Sequence, residues 1–157
     1  MLGRPALQLE RYFFPVVNVE ADPDFDPSQK PELGLTAVIH KDKVKGELRR
    51  WVVQLDVTVA PKEKGPFTYK AFLKVIGFFN VSAEMREEEI PSFVEVNGGS
   101  ILFSAAREYL LILTSRGPWP PLALPTVRIV PDELKAPEMP VVKDIKPKKL
   151  KGKKTKK

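Results

Sequence analysis

The stretch WVVQLDVTVAPKEKGPFTYKAFLKV, residues 51–75, decides the fold. Trp51, Val53, Leu55, Val57 and Val59 alternate with Gln54, Asp56 and Thr58. Phe67, Tyr69, Ala71, Leu73 and Val75 alternate with Thr68, Lys70 and Lys74. Successive side chains of an extended chain point to opposite faces, so a period of two marks a strand with one buried face. Pro61 through Gly65–Pro66 supplies turn chemistry between the two runs, and so short a connection makes them antiparallel neighbours. Upstream, Leu33, Leu35, Ala37 and Ile39, set against Thr36 and His40, predict a strand joined to this pair through Lys41–Asp42–Lys43 and Gly46. Further upstream, Leu7, Leu9, Phe13, Val17 and Val19 alternate with Gln8, Glu10, Tyr12, Asn18 and Glu20 and predict another. Asp22 to Pro31, rich in aspartate and proline, reads as an extended surface loop. The expected sheet is a four-stranded antiparallel meander in an α+β fold.

After Val81 the pattern changes. Ala83 to Ile90 is acidic and predicts a short helix stopped by Pro91. Asn97–Gly98–Gly99 breaks the chain, Ser100 is suited to cap a helix, and Ile101 to Arg116 reads as that helix, ending at Gly117. Its polar stripe of Ser104, Arg107, Glu108 and Ser115 is interrupted by Leu111, and Ile101, Leu102, Phe103, Leu110, Ile112 and Leu113 cover most of the rest. A helix this apolar must be buried on more than one side, and one sheet covers only one. A second copy is therefore expected against it, with Phe103, Leu110, Leu111 and Leu113 at the oligomer interface.

The aromatic residues Phe13, Phe14, Phe72, Phe78, Phe79, Phe93 and Trp119 exceed what one sheet face needs. Phe14, Phe72 and Phe78, with Val16 and Ile76, fall on the register opposite the clean apolar one. A sheet apolar on both faces must bury both or leave a sticky surface. The plainer account of the same residues is core and subunit interface.

Composition removes several classes of function. With no cysteine, disulfides, thiolate zinc sites and cysteine nucleophiles are excluded. His40 stands alone, with no neighbouring ligand pattern. Gly98–Gly99 lacks the lysine and spacing of a phosphate-cradling loop. Glu87, Glu88 and Glu89 are consecutive and project in different directions, which suits a solvated face better than paired acid–base work. No catalytic residue, metal or cofactor is expected, and no ATP-driven cycle. The start of the chain has no secretory pattern, and the longest apolar run, Tyr109–Leu113, is far short of the roughly 20 residues that span a bilayer. The expectation is a soluble, cytoplasmic protein.

Sixteen prolines in 157 residues are about twice the usual share and favour strands joined by stiff loops. The net charge of +6 is uneven: residues 143–157 hold nine lysines and one aspartate, so the rest of the chain is slightly acidic. Residues 1–130 read as one domain and 131–157 as a Pro/Lys-rich, disordered tail. The tail either only solubilises the chain or attaches it electrostatically to nucleic acid, ribosomes or anionic lipid.

Residues 99–127, GSILFSAAREYLLILTSRGPWPPLALPTV, resemble the SecB protein-export chaperone family. The likeness is carried by Ala106–Arg107–Glu108, by Ser115–Arg116–Gly117, by Trp119–Pro120 at the family's aromatic–proline pair, and by Leu122, Leu124 and Val127. Leu7 to Tyr12 is similar to the family's opening strand. Ser104–Ala105 stands where the family usually has Pro-Tyr, and the family's final helix gives way to proline- and lysine-rich sequence. The resemblance implies a non-enzymatic, ATP-independent holdase, a dimer or a tetramer of paired dimers. Its partners would be unfolded polypeptides or preproteins, held in a groove lined by apolar residues, here Phe14, Val16, Phe72, Ile76, Phe78, Phe93, Trp119 and Leu122. Some members serve export and dock on the SecA motor through acidic residues of exposed strands, of which Glu20 is retained, while Val16 and the Lys74/Val75 pair fall where others would be. Other members protect an antitoxin.

Overall fold

The computed structural model describes residues 4–131. The tail from residue 132 onward, and with it the replacement of the family's final helix, lies outside the described residues. Four strands, β1 (Leu7–Ala21), β2 (Leu33–Lys43), β3 (Arg50–Pro61) and β4 (Tyr69–Val81), form one antiparallel sheet, followed by the helix α1 (Ile90–Thr114) and an extended strap to Pro131. The α+β class and the sheet-then-helix order agree with the sequence. One detail of topology differs. The order across the sheet is β1-β4-β3-β2, so β2, β3 and β4 run as a meander while β1 pairs with β4 instead of β2. The link from Asp22 to Glu32 therefore crosses from one edge of the sheet to the other. It is fastened to the β3–β4 connection by hydrogen bonds from Asp22 N–H to Thr68 O, Glu32 N–H to Pro66 O and Lys62 N–H to Glu32 O, each 2.9 Å.

The alternation read in β3 and β4 sets the core. Val53, Leu55, Val57, Leu73, Val75 and Phe79 are completely buried, and α1 covers them with Ile90, Val94, Leu102, Phe103, Ala106 and Leu110. The short 3-10 turn Glu87–Glu89 leads directly into α1. Pro91 therefore opens the helix rather than stopping a shorter one, because a residue in the first turn has no intrahelical use for an N–H. Gly98 and Gly99, expected as a break, lie inside it. A β-carbon at Gly98 would stand 3.1 Å from Val53 Cγ2, and one at Gly99 only 2.6 Å from Ile39 Cδ1. The pair costs the helix about 1 kcal/mol per glycine and brings its axis close to the sheet. Ser100, in turn, donates from its hydroxyl to Val96 O, 2.6 Å away, within the helix.

Two irregularities in β1, between Leu9 and Arg11 and between Phe13 and Val16, change which side chains face where. The second contains Pro15, a residue that sheets confine to edges and bulges. As a result Phe13 pairs with Ile76 on the side away from the helix and is 44% exposed. Phe14 turns the other way and stacks on Tyr109 of α1, with ring centroids 4.5 Å apart. The sequence expectation had these two faces reversed.

Candidate functional site

Where the crossing loop meets the strap, a groove of about 430 Å³ opens between Phe25, Pro27, Gln29, Pro31 and Leu33 on one side and Trp119, Pro120, Pro121, Leu122 and Ala123 on the other, with Thr68 beside them. Its position follows from a chain of hydrogen bonds that begins in the core. The buried Tyr69 hydroxyl lies 2.9 Å from Trp119 O and 3.2 Å from Thr114 O, and accepts from Trp119 N–H at 3.1 Å. Thr114, also buried, donates to Leu110 O at 2.7 Å and accepts from Leu122 N–H at 2.8 Å. Trp119 then donates from its indole nitrogen to Asp22 O at 2.7 Å and meets Phe25 edge-to-face at 5.3 Å. Helix end, strap and crossing loop are thereby fixed to one another, and the buried hydroxyls of Tyr69 and Thr114 both have partners.

The motif residues belong to this framework. A β-carbon on Gly117 would fall 2.3 Å from the Tyr69 hydroxyl, so glycine there is what lets the tyrosine reach the turn. Arg107 reaches Thr126 Oγ1 at 3.2 Å and ties the strap to the helix further along. Pro120 lines the groove, Ser115 bonds back to Ile112 O, and Glu108 and Arg116 are exposed.

The eight residues expected to line a groove fall in three places. Trp119 and Leu122 line it. Phe14 and Phe93 are half-buried and pack against the core on the helix side, so neither belongs to the groove. Val16, Phe72, Ile76 and Phe78 lie on the open face of the sheet, with Val52 and Phe13. There Arg11 and Arg50 sit over the Phe78 ring at 4.7 and 5.6 Å, and Arg50 is paired with Glu10 and Glu47. Glu20 is exposed on the same face opposite Lys70, and Asp56 stands opposite Lys74, so its charges largely cancel. His40 is exposed opposite Gln54. Sequence reasoning missed Phe25, Pro27, Pro31 and Leu33, whose placement depends on β1 pairing with β4. The signal available was an aromatic residue set among prolines in a loop.

Two of the four interface residues need correction. Phe103 and Leu110 are covered by the sheet of their own chain. Leu111 and Leu113 are exposed, as are Ile101 and Ile112 of the same helix. Among the described residues no group of three or more His, Cys, Asp or Glu is placed to hold a metal ion. No helix among them is long and apolar enough to cross a membrane.

No curated protein sequence matches the chain significantly. Among solved structures it is similar to a SecB-like chaperone of Mycobacterium tuberculosis in complex with a ChAD peptide from the HigA1 antitoxin. That match has a TM-score of 0.64 at 20% identity and covers 79% of this chain and 92% of the other. A protein of unknown function from Streptococcus agalactiae is similar at a TM-score of 0.44 and 8% identity, over 76% of this chain and 97% of that one. The family model described as preprotein translocase subunit SecB matches residues 5–130. The chain belongs to the SecB family, whose members are chaperones and not enzymes.

Proposed function

We propose that this chain is an ATP-independent holdase that takes apolar segments of non-native polypeptides into the groove between the crossing loop and the strap. The observation that carries this reading is the groove itself: an apolar trough walled by Phe25, Trp119, Leu122 and four prolines, held open by the Tyr69 and Thr114 hydrogen bonds. Each client leucine or aromatic ring buried there contributes about 1.5–3 kcal/mol, and burial is non-directional, so many sequences qualify. The peptide-bound state of the mycobacterial chaperone supports the same reading. Residues up to about 130 form the working domain in this proposal. Copies assemble through the exposed apolar residues of α1, Ile101, Leu111, Ile112 and Leu113, as a cytoplasmic dimer or tetramer.

The test is suppression of aggregation of a chemically unfolded client by the full chain, without and with ATP, beside Trp119→Ala. Suppression that ignores ATP and weakens at least about tenfold in the variant is expected. An inactive wild-type chain would remove the proposal. Between duties, an antitoxin-dedicated role is favoured over export by the open sheet face, where Glu20 is matched by Lys70 and Val16 stands opposite Lys74. Measuring binding to purified SecA separates the two, since tight binding would restore the export reading.

A further inference from the structure

The groove is walled by apolar residues, but the loop that forms one of its walls is acidic. In the crossing loop Asp22, Asp24, Asp26 and Glu32 alternate with the lining residues Phe25, Pro27 and Pro31, against one cation, Lys30. Asp24, Asp26 and Glu32 are exposed. Such a site favours an occupant that joins a short apolar run to positive charge, because opposite charges steer encounter and fix register while the apolar part is buried. The chain carries a segment of that composition. Met139-Pro140-Val141-Val142 is followed by Lys143 and, from Lys146 to Lys157, by eight lysines and no acid.

We propose that residues 139–157 of the same chain occupy the groove when no client is present, with Met139–Val142 against Phe25 and Trp119 and the lysines on the aspartates of the loop. This rests on the groove being the client site. Reach permits it. Ala123, in the groove wall, precedes Pro131 by eight residues and so lies no more than about 28 Å from it, while Val141, ten residues beyond, can travel about 35 Å. A tethered segment acts at an effective concentration of about 1 mM. If its intrinsic dissociation constant is about 0.1–0.5 mM, it raises the apparent client dissociation constant about threefold to tenfold. Clients that bind tightly displace it, and weakly binding, already folded chains do not.

The experiment uses the full chain with a benzophenone amino acid at Val141, irradiated at low salt and mapped by mass spectrometry. Crosslinks to residues 25–33 and 119–123 of the same molecule are expected, lost with excess unlabelled client peptide and reduced in 0.5 M salt. A second variant replaces the eight lysines from Lys146 to Lys157 with serine in the full chain, and client affinity is expected to rise threefold to tenfold. Crosslinks elsewhere on the body, to a second copy or to added RNA, with client affinity unchanged in the serine variant, would overturn the inference. A client peptide carrying the same photolabel keeps the two ideas apart. If it labels the groove and Val141 does not, self-occupancy falls and the groove stands; if neither labels it, both fall.

Discussion

Replacing Gly117 by alanine should do far more damage than its setting suggests. The residue is exposed and does not use the left-handed backbone region, so alanine would ordinarily add about 0.4–1 kcal/mol by restricting the unfolded chain. Here the new methyl would stand 2.3 Å from the Tyr69 hydroxyl and 3.0 Å from two ring carbons. The tyrosine is 2% exposed and its strand position is paired with Ala21 of β1, so the turn must move instead. Overpacking of this kind costs about 1–3 kcal/mol. Moving the turn also weakens the hydroxyl's bonds to Trp119 and Thr114, at about 0.5–1.5 kcal/mol each. A loss of about 2–4 kcal/mol follows, together with weaker client binding as Trp119 leaves its place. Tyr69→Phe removes the other party and should cost about 1–3 kcal/mol by leaving buried groups unpaired. In the double variant the closest clash is gone, so the combined loss should fall short of the sum by at least about 1 kcal/mol. Urea titrations of the four proteins, followed by tryptophan fluorescence, measure the cycle. A Gly117→Ala protein as stable as wild type, or strictly additive losses, would refute the reasoning.

Leu73→Ala, at a completely buried position in the centre of β4, should cost about 2–5 kcal/mol in the same titrations. Leu111→Lys, at an exposed apolar position of α1, should leave the stability of the subunit nearly unchanged and lower the assembled mass measured by light scattering. Phe25→Ala should weaken client binding about as much as Trp119→Ala does, since the two rings pack edge-to-face in the groove wall. The Ser28 backbone N–H holds the Asp26 carboxyl below the usual 3.8 of an aspartate. A lowered carboxylate contributes fully above its unfolded value and is lost as pH falls through the folded one. The loop should therefore be indifferent to pH near neutrality and loosen only in strong acid, which an NMR titration of Asp26 follows.

The strands were legible wherever one face is sealed, as in β3 and β4, because burial on one side imposes the alternation directly. In β1 it failed at Phe13 and Phe14, since a bulge adds a residue without leaving any pattern except Pro15. Pro91 and Gly98–Gly99 misled for a different reason. Local rules treat them as breakers, whereas a helix start tolerates proline and a tight helix–sheet contact requires glycine. Half of the groove was visible in Trp119 and Leu122, which sit in a recognisable motif. The other half comes from a loop whose destination is set by the pairing of β1 with β4, a long-range choice that the aromatic set among prolines at Phe25 does not announce.

The prolines of the groove carry a consequence for how a guest is read. Pro27, Pro31, Pro120 and Pro121 offer no amide hydrogen and have their φ angles fixed by the ring. At those positions the walls cannot zip onto a visiting backbone as an added strand would. Recognition then falls to side chains, and a guest can shift along the trough by a residue or two without breaking a ladder. Rigid walls also have little freedom to lose on occupancy, so the ordering cost is borne chiefly by the guest. Sequence tolerance and ready sliding would both arise from the same four rings.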